Sequence, residues 1–202
     1  MSSWDYAEDL PTSTWREAMS SVRELGLTTV DGVPRVTSTP ISAVTALRTG
    51  TPLSRTNVSV TSGTTSLGSA ADGNASDIEV ALEPGTALRS GVNALVGDGE
   101  ATTIGYDAST GEVYLDRSSS GVIPNGTFAS MDRARVEPGS DGLIHLRILV
   151  DHSSVEVFAG DGTAVLTDTV FPSAGSTGVS LFADGGTATF TSVAVHRMGS
   201  TH

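Results

Sequence analysis

Cysteine is absent from this 202-residue chain, and so is lysine. Without thiols there are no disulfides, no thiolate metal sites and no cysteine nucleophile. All eleven basic residues are arginine, which is read only as the coding bias of a GC-rich genome. Acidic residues outnumber basic ones, 23 to 11, for a net charge of −12. A surface of that sign repels phosphate backbones and argues against nucleic acid as a partner. Aromatics are few, at 5%, and both tryptophans fall at positions 4 and 15. No apolar run reaches the roughly 18 residues of a membrane-spanning helix. No basic start followed by an apolar stretch marks a signal peptide, so any leader is expected upstream.

What is present points to strands. Glycine is abundant at 23 residues, serine and threonine are common, and apolar residues make up 38%. That composition favours many strands and tight turns in one domain, or one domain plus a fragment. From about Asp77 onward, apolar and polar residues alternate: Ile78-Val80-Leu82, Val113-Leu115, Ile144-Leu146-Ile148-Val150, Val155-Val157, Val179-Leu181, then Thr187 to Val195. A period of two buries one face of each strand. Between the runs lie Gly97-Asp98-Gly99, Pro124-Asn125-Gly126, Ser140-Asp141-Gly142, Gly160-Asp161-Gly162 and Asp184-Gly185-Gly186, residues suited to turns. This spacing predicts an antiparallel two-sheet sandwich or a barrel. Residues 54–76 are rich in Ser, Thr, Gly and Ala; Val58 and Val60 hint at one strand in an otherwise loose stretch. Near the start, Thr14-Trp15-Arg16-Glu17 matches a helix capping box, and local rules alone allow a short helix from Trp15 to Leu25.

Three ordered blocks carry a family resemblance. The first is Trp4-Asp5-Tyr6-Ala7, Leu10-Pro11-Thr12, Trp15-Arg16 and Arg23-Glu24-Leu25. The second is Thr103-Ile104-Gly105-Tyr106-Asp107 with Val113-Tyr114-Leu115-Asp116-Arg117-Ser118 and Ser120-Gly121. The third runs from Leu146 to Phe158 through Asp151-His152-Ser153-Ser154-Val155-Glu156, followed by Phe171-Pro172. Together they resemble the C-terminal β-sandwich of glycoside hydrolase family 32, the invertases, inulinases and levanases. Glu17 and Val22 stand where the family usually has Gly and Pro.

The resemblance implies an all-β fold, an antiparallel jelly-roll or lectin-like sandwich preceded by orphan strands of a five-bladed propeller. Residues 1–30 would be the remnant of the last blade, 31–40 a linker, 41–198 the sandwich and 199–202 a tail. It argues for strands rather than a helix near Trp15. It implies a secreted parent enzyme acting on β-fructosides, with the missing propeller as partner and no cofactor. The family's retaining chemistry uses two carboxylates about 5–5.5 Å apart. Its nucleophilic Asp lies in Asn-Asp-Pro-Asn-Gly, a stabilising Asp in Arg-Asp-Pro, and the acid/base Glu precedes Cys. This chain has no Asp-Pro dipeptide and no Cys, so no catalytic residue is assigned and the chain alone is expected to hydrolyse nothing.

Other candidates are weighed against plainer roles. Trp4 and Tyr6 suit a fructose pocket in the intact enzyme; the alternative is packing between blade strands. Asp151, His152, Ser153 and Ser154 carry triad letters, but neighbours on a strand point apart, so a polar turn is expected. Glu156 between Val155 and Val157 is expected to be structural, paired with Arg147 or Arg117, with Phe158 part of the same motif. Asp116 and Arg117 are expected as an ion pair near a strand end. Asp72, Asn74, Ser76, Asp77 and Glu79 offer alternating oxygens of the kind calcium takes, but lack the Gly and final Glu of a calcium hand. The four histidines are too scattered for zinc, so no metal is assigned. Asn57, Asn74 and Asn125 begin glycosylation triplets, and no glycans are expected. A fructan-binding lectin-like module is the rival function; the scarcity of aromatics after Trp15 speaks against it. Unpaired edges in residues 1–30 predict self-association or docking of that segment onto the sandwich.

Overall fold

The computed structural model describes residues 5–15, 18–30 and 32–199. An N-terminal segment with one 3-10 turn (Ala7–Asp9) leads to a hairpin of β1 (Arg23–Val30) and β2 (Val33–Pro40). Residues 18–22 are irregular and strand begins at Arg23, so the helix that local rules allow does not form there. β2 occupies most of the stretch expected as linker. A single helical turn, α1 (Ser42–Thr45), precedes the remaining strands.

Those strands are β3 (Arg48–Ser66), β4 (Ser76–Glu83), β5 (Arg89–Val96), β6 (Ala101–Asp107), β7 (Glu112–Ser119), β8 (Met131–Arg135), β9 (Ile144–Asp151), β10 (Ser154–Ala159), β11 (Ala164–Thr169) and β12 (Gly178–Met198). All the ladders they form are antiparallel. β12 is long enough to serve two sheets. Its first part, Gly178–Asp184, pairs with β5, and the sheet continues β5-β6-β7-β8. Its second part, Thr189–Arg197, pairs with β4, and the sheet continues β4-β9-β10-β11. β3 follows β12 along its other side through both sheets.

The change of sheet happens at Asp184-Gly185-Gly186, read from sequence as a hairpin turn. It is instead a bend inside one strand: the β12–β3 register slips between Ala183 and Thr187. Gly185 has φ of 68°, and a Cβ on Gly186 would lie 2.2 Å from the Thr86 carbonyl oxygen, so only glycine fits the bend. The stretch expected to be loose is likewise mostly β3, a 19-residue strand. Its Ser/Thr composition reflects an edge position that leaves most side chains in water, with Val60 reaching the core.

The core lies between the sheets. Ile78, Leu82, Ile148 and Phe190 from one side and Val92, Ile104, Val113 and Leu115 from the other are fully buried. A second apolar cluster holds Tyr6, Leu10, Phe128 and Phe171, with Trp15 packed against it. It fastens the N-terminal segment to the sandwich.

Candidate functional site

The sandwich is hinged along β3 and β12. Its opposite side has two lips, β11 at the far edge of one sheet and β8 at the far edge of the other. Ion pairs lie at this mouth and on the outer face of the β11-β10-β9-β4 sheet, and a further group, Asp107 with Arg89 and Arg133, lies on the other sheet.

At the mouth, Arg117 points inward from β7 and is 4% exposed. Val113, Leu115 and Arg117 share the inward face by strand alternation. Its Nε donates to Ser130 Oγ (3.0 Å), Nη1 to the Thr169 carbonyl (3.1 Å) and Nη2 to the Tyr6 phenol (3.3 Å). The guanidinium lies 4.2 Å from the Phe128 ring centre and 5.0 Å from that of Tyr6. Its ionic partner is Asp168 of β11, with Nη1 to Oδ1 at 3.5 Å. The expected Asp116–Arg117 pair is therefore not formed. Adjacent strand residues face opposite ways, and Asp116 instead accepts the Ser118 N–H at 2.9 Å. Burial pushes the Asp168 carboxyl up to about 6; Arg117 opposes the rise and the Asp132 carboxylate adds to it.

On the outer face, Glu156 is buried, and its partner is neither Arg147 nor Arg117. Its Oε1 accepts the Ser21 N–H (2.7 Å) and its Oε2 accepts Arg23 Nη2 (2.5 Å). Arg23 also donates to Thr167 Oγ1 (2.7 Å) and stands 5.1 Å from the Phe158 ring centre. Arg147 belongs to another pair of strands: its Nε and Nη2 bind Asp77 at 3.0 and 2.7 Å, and Arg48 Nε reaches the same carboxylate at 2.8 Å. Glu79 binds Arg48 (2.8 Å) and approaches His196 (3.3 Å). Two of the carboxylates weighed for calcium, Asp77 and Glu79, thus face guanidinium groups, which supply the positive charge a cation would.

The resemblance to a triad dissolves in the same way. Asp151 Oδ1 accepts the His152 N–H at 2.8 Å and lies 3.0 Å from His152 Nδ1, while the Ser153 carbonyl accepts the Val170 N–H at 3.0 Å. Asp151 and His152 are exposed, and this is the β9–β10 turn. Asn125 is committed too: its amide donates to the Asp5 carbonyl (2.8 Å) and Asp9 (2.7 Å), and its oxygen accepts from Thr127. Tyr6 lies buried in the aromatic cap, 5.2 Å edge-to-face from Phe128. Trp4 lies outside the described residues. A groove of about 510 Å³ is lined by Pro40, Ala81, His145, Arg147, Phe158 and Ala194, among others. Sequence reasoning missed Arg23, Asp132 and Asp168 as site residues. The signal for Asp168 was there, since it continues the inward face of Ala164 and Leu166.

Together these features define a sandwich domain built around structural ion pairs and carrying an N-terminal appendage. Residues 43–197 match the family model described as "Glycosyl hydrolases family 32 C terminal". The chain is 36% identical to the levanase of Bacillus subtilis over 203 residues, 97% of this chain and 29% of that protein. It is 33% identical to the extracellular exo-inulinase of Aspergillus ficuum, over 100% of this chain and 38% of the relative. The crystal structure of exo-inulinase from Aspergillus awamori superposes with a TM-score of 0.91 at 30% identity, over 98% of this chain and 39% of that one. The chain therefore belongs to glycosyl hydrolase family 32, in which it is the C-terminal domain, and it spans about a third of the length of those relatives.

Proposed function

We propose that this chain is the non-catalytic sandwich of a secreted β-fructoside hydrolase, a levanase or inulinase, and that it supports a catalytic propeller. On this reading residues 1–30 are the last strands of the final blade, and β1–β2 is the contact with the missing domain. The observation that carries the reading is the apolar surface of that hairpin. Leu25, Leu27, Val33 and Val36 on this unpaired two-stranded sheet, with Met19 and Val22 just before it, are between 51% and 94% exposed. An isolated apolar surface of this kind marks an interface. Supporting it, the pairs that tie the segment to the sandwich, Glu156 with Arg23 and Arg117 with Tyr6, consume the charges that a catalytic site would need free.

The test is a hydrolysis assay on sucrose, inulin and levan. Zero release by this chain, with full activity in the intact enzyme, is the expected result; turnover by the chain alone that Glu156→Ala abolishes would refute it. A second reading, fructan binding by the sandwich itself, draws on the groove lined by Arg147 and Phe158. Affinity electrophoresis through gels containing levan or inulin decides it: retardation in either gel supports binding, and unchanged mobility leaves the supporting role.

A further inference from the structure

We propose that Asn125-Gly126 is a site of spontaneous deamidation, and that the change unfastens the N-terminal segment from the sandwich. Of the four asparagines, only this one is followed by glycine. The pair opens a tight turn, closed by the Phe128 N–H on the Asn125 carbonyl at 3.2 Å. The side-chain oxygen of Asn125 accepts the Thr127 N–H at 3.1 Å and the Thr127 hydroxyl at 2.9 Å. These bonds fold the carboxamide over the Gly126 peptide and draw electron density from its carbonyl carbon. The Gly126 N–H meets no acceptor among the described residues. A Cβ on Gly126 would have no neighbour within 4 Å beyond the adjoining residues. The nucleophile is therefore unengaged and unshielded, beside a side chain that is chemically labile.

The Gly126 nitrogen, its proton lost to base, attacks Cγ of Asn125. A carbon–nitrogen bond forms, the Cγ–Nδ2 bond breaks, and ammonia leaves after taking a proton from water. Water then opens the resulting succinimide at either carbonyl. One product is aspartate; the other is the isoaspartyl form, in which the main chain runs through the side chain. What is lost is a clasp. Nδ2 of Asn125 donates to the Asp5 carbonyl at 2.8 Å and to the Asp9 carboxylate at 2.7 Å, and so spans the 3-10 turn Ala7–Asp9. Either product puts a carboxylate where both donors were, facing the Asp9 carboxylate and a carbonyl oxygen. Two hydrogen bonds become a like-charge contact. The isoaspartyl form also redirects the chain that enters Phe128, the ring on which Tyr6 packs at 5.2 Å.

The test ages the 202-residue chain in mildly alkaline buffer, where the peptide nitrogen loses its proton more readily. Anion exchange separates the products and mass spectrometry of their peptides places the change. The expected result is a more acidic species modified at Asn125, with Asn57, Asn74 and Asn93 intact and isoaspartate the larger product. Gly126→Ala should slow the conversion many-fold, since a methyl group hinders the nitrogen while the turn has room for it. Both tryptophans lie in the N-terminal segment, so their fluorescence reads the clasp. The aged species and Asn125→Asp should both show red-shifted emission and several-fold faster protease cleavage within residues 5–15, with unchanged far-ultraviolet circular dichroism. An intact Asn125 in the chain, after an isolated peptide of residues 121–128 has fully converted, would overturn the site. So would conversion at an equal rate in Gly126→Ala. Native emission and native cleavage in the purified aged species would overturn the release, whether or not Asn125→Asp folds.

Discussion

The β1–β2 hairpin and the β9–β10 hairpin are similar in length and opposite in fate. β9 reads Ile-His-Leu-Arg-Ile-Leu-Val-Asp, and every second residue is buried against the facing sheet. β1 reads Arg-Glu-Leu-Gly-Leu-Thr-Thr-Val, with Leu25 and Leu27 alternating in the same way, yet no residue in it is fully buried. Alternation states that one face of a strand wants cover; it does not state that the cover is in the chain. The difference is supplied by topology. β9 lies between β10 and β4 with a second sheet opposite, whereas β1 has β2 and nothing beyond. A lone two-stranded hairpin is marginal in water, and this one is tied to the sandwich through Arg23, bonded to Glu156, and through Ser38, whose N–H donates to the Gly162 carbonyl.

The sharpest way to test that contrast is to remove bulk from the covered side. Phe190 is 0% exposed in the long shared strand. Phe190→Ala should cost about 3–5 kcal/mol, the lost transfer energy plus the cavity left behind. A urea titration monitored by circular dichroism would show a lower midpoint with an unchanged slope. A loss under about 1 kcal/mol would mean that β12 does not carry the core.

A smaller effect belongs to pH. Asp168 has its carboxyl raised to about 6 from 3.8, so the folded chain binds more protons than the unfolded one between those values. Its contribution is present in full below pH 3.8 and is lost as pH rises through 6, by of the order of 2–3 kcal/mol. Other carboxylates act in the opposite sense. Asp107, held low first by Ser109 and then by Arg89, and Glu100, held low by Ser173 and Ser176, contribute above the ordinary carboxylate range and fade in acid. The expected stability maximum thus lies between about pH 4 and 6. Asp168→Asn should raise the melting temperature at pH 7.5 and leave it nearly unchanged at pH 4. A loss of stability at pH 7.5 would show that the ionised form is the favoured one.

Much of this was legible beforehand, and the failures share a cause. β4, β7, β9 and β10 announce themselves by alternation, because each has one face in the core. β12 was divided in two by Gly185-Gly186, since local rules treat a glycine pair as a turn, while here it lets one strand serve both sheets. β3 was hinted at only by Val58 and Val60, because an edge strand needs few apolar residues. The ion pairs were misassigned for a related reason. Glu156 and Arg147 share the outer face, but which charge lies across from which is a matter of lateral register. That places Asp77 beside Arg147 and brings Arg23 in from a segment 133 positions away. The family assignment itself rested on ordered motifs spread over most of the chain, which no single misplaced strand could disturb.

The Arg23–Glu156 contact joins the two regions and should register in both. Glu156→Gln keeps the shape but leaves Arg23 without its counter-ion and weakens the bond from Ser21. The cost should be about 1–2 kcal/mol, since Arg23 retains partial contact with water. The same substitution should speed protease cleavage within residues 18–30 several-fold while the rest of the chain stays resistant. Equal protection in both proteins would mean that the hairpin is held by other contacts.

The smallest effect is the most discriminating. Leu27 is 79% exposed, so Leu27→Ser in this chain removes almost no burial. Its stability should stay within about 0.5 kcal/mol of the native value, and any tendency to associate at high concentration should fall, as light scattering would show. In the intact enzyme the same substitution would place a hydroxyl where the propeller is proposed to sit. There it should cost about 1–3 kcal/mol by loss of burial and of a hydroxyl's hydration. A measurable loss in the chain alone would show that the hairpin is already covered. The absence of any loss in the intact enzyme would show that it faces water there as well. Only the split outcome, neutral in one and costly in the other, assigns the exposed leucines to the domain interface.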